Sequence, residues 1–389
     1  MADRVLRIGV LGLSRGFVLT RPAFLADARC RLVAAMDPRP EARAAFEAEF
    51  AAPSHETAEE LCRNPDVEIV YVASPHERHA EQAILAARHG KHVLVEKPIA
   101  LSLADCAAMR AAAQAAGVAL IVGPSHSYDA PVARAAELIA GGAYGALRMI
   151  TALNFTDFLY RPRRPEELDT ARGGGVMFSQ AAHQVDIVRR LAGAPVRSVR
   201  AQAGAWDPAR PTEGAYQAFL TFEGGATATL SYSGYGRYDS DALMDWIGED
   251  GGAKDPAGYG AARGRLSGAD EDELKRRRAY GAGPPSAAPA GLAHEHFGFV
   301  LASCEHGDLR PTATGIEVYA PAARSTIELP PPHAPRAGVV DELWRAVVEG
   351  VPPLHDGAWG AANLATCLAM LRSSAEGREV ALTELESPA

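Results

Sequence analysis

The chain has 389 residues, more than one ordinary domain, and its 48% hydrophobic and 22% charged residues fit a globular protein and exclude global disorder. A net charge of −9 offers no basic field for a nucleic-acid backbone or an anionic membrane, and no run approaches the ~18 apolar residues of a spanning helix. Five scattered cysteines without a CxxC pair, and a short uncharged run of Ile8–Leu13 ahead of Ser14 and Arg15, argue against a secretory signal and make the cytoplasm the expected compartment.

The first third alternates apolar runs with helical patterns. Strands are expected at Val5–Leu13, Arg31–Met36, Val67–Ala73, His92–Val95 and Ala119–Val122. Between them, Thr57 and Glu60 form a capping box, Ser102 opens an alanine-rich helix that stops at Gly117, and His76–His89 ends at Gly90. This alternation predicts a doubly wound parallel sheet over residues 1–124, a dinucleotide-binding domain.

After Pro124 the grammar changes. A helix at Ala130–Ala140 leads to a long strand, Leu147–Leu159, then an arginine- and proline-rich loop and a helix over Val176–Leu191. Strands follow in succession at Val196–Ala205, Tyr216–Phe222, Ala226–Tyr232 and Leu243–Ile247, with two more at Gly315–Tyr319 and Ser325–Leu329 before helices near Val339–Val348 and Gly360–Arg372. This predicts an α+β domain over 125–389 with a large, open, mostly antiparallel sheet. Residues 249–292, rich in Gly, Ala, Pro and charge, are expected to form a flexible surface insertion.

Two motifs carry chemistry. The first strand runs into G-V-L-G-L-S-R-G, with Gly9, Gly12, Ser14, Arg15 and Gly16, and Asp37 ends the second strand. Glycines let a pyrophosphate approach backbone N–H groups at a helix N-terminus, and the acidic residue accepts bonds from ribose hydroxyls. Ser14 and Phe17 stand where further glycines are usual, and Pro22 implies a short or kinked first helix. Asp37 would repel a ribose phosphate, which favours NAD, while Arg39 leaves NADP open. The second motif is Glu96-Lys97-Pro98 after the apolar strand. It puts Lys97 at the ligand-facing end of the sheet, where a partly desolvated lysine suits proton transfer; a plain surface lysine is the alternative.

The order G-x-x-G, Asp37, A-S-P-H-x-x-H (Ala73–His79), G-K-H-V-L-V-E-K-P (Gly90–Pro98) and G-G-G-V-M-F-S-Q-A-A-H-Q-V-D (Gly173–Asp186) resembles the Gfo/Idh/MocA oxidoreductases over nearly the whole chain. The resemblance implies a Rossmann domain plus an open-faced second domain whose sheet mediates oligomerisation, hence a homo-oligomer, dimer or tetramer. It implies catalytic roles for Lys97 and His183, a cis Lys97–Pro98 bond, and a nicotinamide cofactor near Ser74, Pro75, His76 and Glu96, with His79 close by. Relatives acting on sugars and inositols usually carry Asp where this chain has Ser179, one helical turn before His183 and on the face that also bears Asp186. Serine cannot accept a proton at neutral pH, whereas histidine can.

The loop Y-R-P-R-R-P-E-E-L-D-T-A-R-G-G-G contributes Arg161, Arg163, Arg164 and Arg172. With F-S-Q-A-A-H-Q-V-D it resembles the 4,5-dihydroxyphthalate dehydrogenase branch, which implies oxidation of a phthalate-type cis-dihydrodiol to a catechol. Arginine forks pair with carboxylates, so Arg172, beside the glycines, is the favoured substrate contact, with Ser179, Gln180 and Asp186; a solvated arginine-rich loop is the alternative. A sugar or inositol dehydrogenase, or a non-catalytic NAD-binding regulator, remain the alternative functions. His294-x-His296 has strand spacing for a metal but no accompanying carboxylate cluster, so no metal is expected; Lys275–Arg278 reads as a solvated helix face.

Overall fold

A computed structural model describes residues 4–258, 260–282 and 292–386, which fall into two compact units. The first takes in residues up to Pro124 together with 272–288 and 333–364; the second holds 125–271, 289–332 and 365–389. Segments far apart in sequence therefore belong to the first unit, where the sequence suggested an unbroken second domain from 125 onward.

In the first unit, six strands pair in parallel in the order β3-β2-β1-β4-β5-β6: β1 Leu6–Leu11, β2 Cys30–Met36, β3 Ser54–His55, β4 Ile69–Val72, β5 His92–Val95 and β6 Leu120–Val122. The central strands are apolar runs with no polar alternation because helices cover both faces of such a sheet. Register aligns Met36, Leu11, Val72, Val95 and Val122 in one row, so five strands end together. Asp37, Gly12, Ala73, Glu96 and Gly123 each follow one of those ends. Connections leave β1 and β4 toward opposite sides, and a crevice outside their carboxyl ends is where such sheets bind ligands.

Helix caps follow local chemistry. Thr57 and Glu60 form the reciprocal box ahead of a helix at Ala58–Arg63, Ser102 accepts the Asp105 amide, and Gly117 closes that helix in the left-handed region. Pro22 does not shorten the first helix, α1 (Arg15–Ala26), which carries it inside.

The second unit is built on nine strands in the order β14-β13-β12-β11-β7-β10-β9-β8-β15. These are β7 Leu147–Phe155, β8 Val196–Gly204, β9 Ala215–Phe222, β10 Thr227–Ser233, β11 Phe299–Cys304, β12 Gly307–Thr312, β13 Gly315–Ala320, β14 Ala323–Glu328 and β15 Val380–Ala381. Among the described residues of this sheet, only β7 and β10 pair in parallel. One face packs on Ala130–Ala140 and on α2 (Ala182–Ala192), with Val132, Ala135, Val185 and Val188 in the shared core. On the other face, the row Tyr319, Asp308, Ser303, Met149, Thr227 crosses five strands, and Phe219 lies on the same side. Met149 and Phe219 are 47% and 46% exposed there.

Two expected elements differ. Leu243–Ile247 is not a strand: Asp239 accepts the Asp241 amide and opens a 3₁₀ turn at Ser240–Met244, and Asp245 and Trp246 then turn the chain at φ +54° and +58°. The helix expected from Val176 begins as a π turn, Met177–Ala181, that widens the spacing between Ser179 and His183 before α2 starts. Within 249–292, helices occupy Ala261–Leu266 and Glu271–Arg276, while 283–291 lie outside the described residues, so the expected flexibility concerns a stretch that is only partly described.

Candidate active site

The first unit's candidate site grows from the row of strand ends. Gly12, at φ +90°, donates its N–H to Met36 O at 2.8 Å, and a Cβ on it would lie 2.8 Å from the Ser74 Cα. No other residue fits between the two turns. Ser14 caps α1 in extended conformation and donates its hydroxyl to the Ala73 carbonyl, tying the turn to the end of β4. The N–H groups at the start of α1 point the way that suits a phosphate at a helix N-terminus. Arg15 is exposed there. A Cβ on Gly16 would crowd the Glu96 carboxylate at 3.1 Å, whereas Gly9 lies inside β1 against Val67 and Leu61, a packing position.

Asp37 is 4% exposed and accepts the Leu13 amide at 2.8 Å, the Arg39 amide at 2.9 Å and the Arg39 guanidinium at 2.9 and 3.1 Å. Ser74 Oγ donates to Gln82 at 2.7 Å. Glu96 is buried; its Oε1 accepts the Tyr71 hydroxyl at 2.6 Å and pairs with Arg336 at 3.4 Å, so this carboxylate braces the strand end. Lys97 is half-buried, and the Lys97–Pro98 bond is cis. His79 is fully buried, with Nδ1 2.8 Å from Pro98 O and Nε2 3.1 Å from Ser74 O. Burial pushes its pKa down, favouring a neutral ring that donates to one of the two carbonyls. It clamps two strand-end turns together, and half-buried His76 lies edge-on to it at 5.6 Å.

In the second unit, a separate cluster of candidate residues centres on His183 in the first turn of α2. His183 is 7% exposed, its Nδ1 is 3.1 Å from Ser125 Oγ, and its ring meets His126 and Phe297 at 4.8 Å each. His126 Nδ1 is 2.7 Å from Asp129. Asp186, 1% exposed, accepts the Ser127 amide at 3.2 Å and so holds the turn that bears Ser125 and His126. Gln180 faces inward and accepts the Tyr232 hydroxyl at 3.1 Å; Ser179 is half-buried beside it. His126 and Phe297 escaped the sequence reading, because they reach α2 from distant segments, His126 on the turn that Asp186 holds and Phe297 from just ahead of β11.

Glu213 was also missed. Its buried carboxylate accepts the Met177 amide at 3.2 Å and the Thr170 hydroxyl. A Cβ on Gly175 (φ +77°) would lie 2.2 Å from Glu213 Oε1, and one on Gly174 would lie 2.6 Å from Glu166 O, which explains the glycine run.

The loop arginines separate sharply. Arg161 pairs with Asp157 at 2.8 Å and Glu249 at 3.1 Å; burial pushes Glu249 up, but the Arg161 guanidinium outweighs it and holds the carboxyl below its usual range. Arg163 stacks 3.6 Å over the Phe158 ring and donates to Phe158 O, and Arg164 pairs with Glu166 at 3.1 Å. Arg172 is exposed, and among the described residues its side chain meets no carboxylate. His296 places Nε2 2.8 Å from Ile247 O and accepts the Gly298 amide at Nδ1, so both ring nitrogens are engaged by backbone.

The glycine turn, the helix terminus and Asp37 fit a dinucleotide, since backbone N–H groups at a helix start suit a pyrophosphate and a carboxylate at the end of the second strand suits ribose hydroxyls. Gly12→Ala is expected to weaken NADH binding at least about tenfold by fluorescence titration, with an unchanged circular dichroism spectrum.

Comparison with known proteins is consistent along the chain. Residues 6–124 match the Gfo/Idh/MocA model described as an oxidoreductase family, NAD-binding Rossmann fold, and 132–254 match the Gfo/Idh/MocA C-terminal domain. The 1-carboxy-3-chloro-3,4-dihydroxycyclohexa-1,5-diene dehydrogenase of Comamonas testosteroni is 46% identical over 373 residues, 94% of each chain. A solved structure from Bordetella bronchiseptica RB50 superposes with a TM-score of 0.92 at 41% identity, covering 97% of this chain and 100% of that one. The Caulobacter crescentus aldose-aldose oxidoreductase superposes at 0.72 with 25% identity, again covering 97% and 100%. The chain therefore belongs to the Gfo/Idh/MocA family of NAD(P)-dependent oxidoreductases, with residues 6–124 as its NAD-binding Rossmann domain.

Proposed function

We propose that the protein is an NAD-dependent dehydrogenase that oxidises a cyclic cis-diol carboxylate to a catechol. The observation that carries this reading is Arg172, the one arginine of the 161–172 loop without a carboxylate partner among the described residues. One unmatched guanidinium suits one ring carboxylate. The Comamonas testosteroni relative, whose name gives a monocarboxylate diol, supports this choice over a phthalate-type dicarboxylate.

Bound NAD would lie on the Gly12–Ser14 turn and Asp37 and would supply the hydride acceptor. The chain's own residues bind the acid and move the proton. Arg172 anchors the carboxylate, with Ser179 offering a hydroxyl to the diol. One base, Lys97 or His183, takes the hydroxyl proton as the carbinol carbon gives up its hydride. The resulting ketone enolises to an aromatic catechol, which drives oxidation. Among Ser179, Gln180, His183 and Asp186, only His183 suits proton transfer near neutrality, since Asp186 holds the Ser127 amide and Gln180 holds Tyr232. Gln180 and Asp186 are thus assigned to positioning the substrate wall, a change from the direct substrate contact first expected.

Following NAD reduction with carboxylated cyclic cis-diols, uncarboxylated ones and polyols tests the reading. Turnover confined to the carboxylated diols supports it. Turnover of polyols alone would establish a sugar or inositol dehydrogenase, and NAD binding without any turnover a regulatory protein. Arg172→Ala should raise KM roughly ten- to a hundredfold with kcat little changed. Lys97→Met should lower kcat by about 10²–10⁴-fold.

The exposed sheet face bearing Met149 and Phe219 supports a homo-oligomer, with a second copy packed there. Phe219→Glu should then give a smaller species by light scattering. Among the described residues no helix is long and apolar enough to cross a membrane, and a cytoplasmic location remains part of this proposal.

A further inference from the structure

Tyr280 and Gly281 of the insertion lie against the turn after β1 and the helix that follows Asp37, within the first unit. The Tyr280 amide donates to Leu13 O at 3.3 Å, in the turn directly after Gly12. Its ring meets Phe17 edge-on at 5.2 Å, and its hydroxyl donates to Glu49 at 2.6 Å. Gly281, at φ +81°, leaves no room for a side chain, since a Cβ would lie 3.0 Å from the Ala42 Cα. The contact is thus a fitted turn, anchored by ring, hydroxyl and backbone.

The same turn reaches Arg39. One guanidinium nitrogen, Nη2, donates to Leu13 O at 2.9 Å, and the other, Nη1, to Tyr280 O at 3.4 Å. Nε and Nη2 also bond Asp37, whose two oxygens together meet four donors. A carboxylate offers about four lone-pair sites, so Asp37 is saturated. Ribose hydroxyls can reach it only by displacing a donor. The two backbone amides are fixed, and the Arg39 side chain is the one able to yield.

We infer that the Tyr280–Gly281 turn is a cofactor-selectivity element. It gives the Arg39 guanidinium carbonyl acceptors beside Asp37, so that when ribose hydroxyls displace it the arginine stays parked and does not reach out to a 2′-phosphate. An arginine at the end of the second strand is otherwise suited to pair with that phosphate. The turn therefore makes the domain select NAD over NADP, an inference that rests on the NAD-binding reading of residues 6–124.

The test is binding, read by nicotinamide fluorescence without substrate. NADH and NADPH are titrated into the unaltered protein, Tyr280→Ala, and Tyr280→Ala combined with Arg39→Ala. The unaltered protein should prefer NADH. Tyr280→Ala should tighten NADPH binding about tenfold, the worth of one charge-assisted contact, and the second substitution should abolish that gain. Tyr280→Phe, which keeps the ring on Phe17 and loses only the hydroxyl's bonds to Glu49 and Ala45 O, should show a smaller gain and decides the matter if the alanine variant does not fold. An unchanged NADH-to-NADPH ratio in the Tyr280 variants, a gain that survives loss of Arg39, or no preference in the unaltered protein would each overturn the inference. Binding of neither dinucleotide by the unaltered protein would overturn the cofactor reading beneath it.

Discussion

The contact between Gly12 and Ser74 is the constraint on which the cofactor domain depends. Five parallel strands end in one row, and the turns that follow β1 and β4 approach so closely that a Cβ on Gly12 would stand 2.8 Å from the Ser74 backbone. Around that contact the other turns are fastened in sequence. Ser14 reaches the Ala73 carbonyl, Leu13 donates to Asp37, and His79 bridges Ser74 O to Pro98 O. Lys97 thus emerges from a strand end whose neighbours are held by buried hydrogen bonds and not by loop packing alone. Such preorganisation is what the catalytic role proposed for Lys97 requires.

In the second unit the corresponding constraint is the bracing of the histidine pair. Asp186 holds the 125–128 turn, Asp129 holds His126, and Phe297 closes against both rings. Glu213 pins the start of the π turn through the Met177 amide, and Gly175 lets the chain pass its carboxylate. The loop arginines have a structural logic of their own. Arg161, Arg163 and Arg164 are matched by carboxylates or by an aromatic face, which leaves Arg172 as the loop's available charge. A composition rich in arginine had hidden that division.

The Rossmann half was legible because its signals are local. Apolar runs of four to six residues, Ser102 and Thr57 as caps, and Gly117 at a left-handed position each act within a few residues of themselves. What escaped depends on partners far away in sequence. Glu249 reaches Arg161 from 88 residues on, Phe297 reaches His183 across the sheet, and Tyr280 returns to Leu13 in the first unit. The misread strand at Leu243–Ile247 shows the same limit from the other side, since its apolar residues look extended until Asp239 caps a turn ahead of them. The π turn at Met177–Ala181 has no periodicity signal, so the helix face drawn through Ser179, His183 and Asp186 was spaced more regularly than it is.

The central claim is that a ring carbinol hydrogen passes as hydride to a nicotinamide held on the Gly12 turn. The most direct measurement uses a carboxylated cyclic cis-diol deuterated at its carbinol carbons, with NAD, and determines the mass of the NADH formed. The account predicts NADH one mass unit heavier, with the remaining ring product a catechol. Unlabelled NADH would contradict it, whereas loss of the second carbinol deuterium to solvent is the enolisation to the catechol itself.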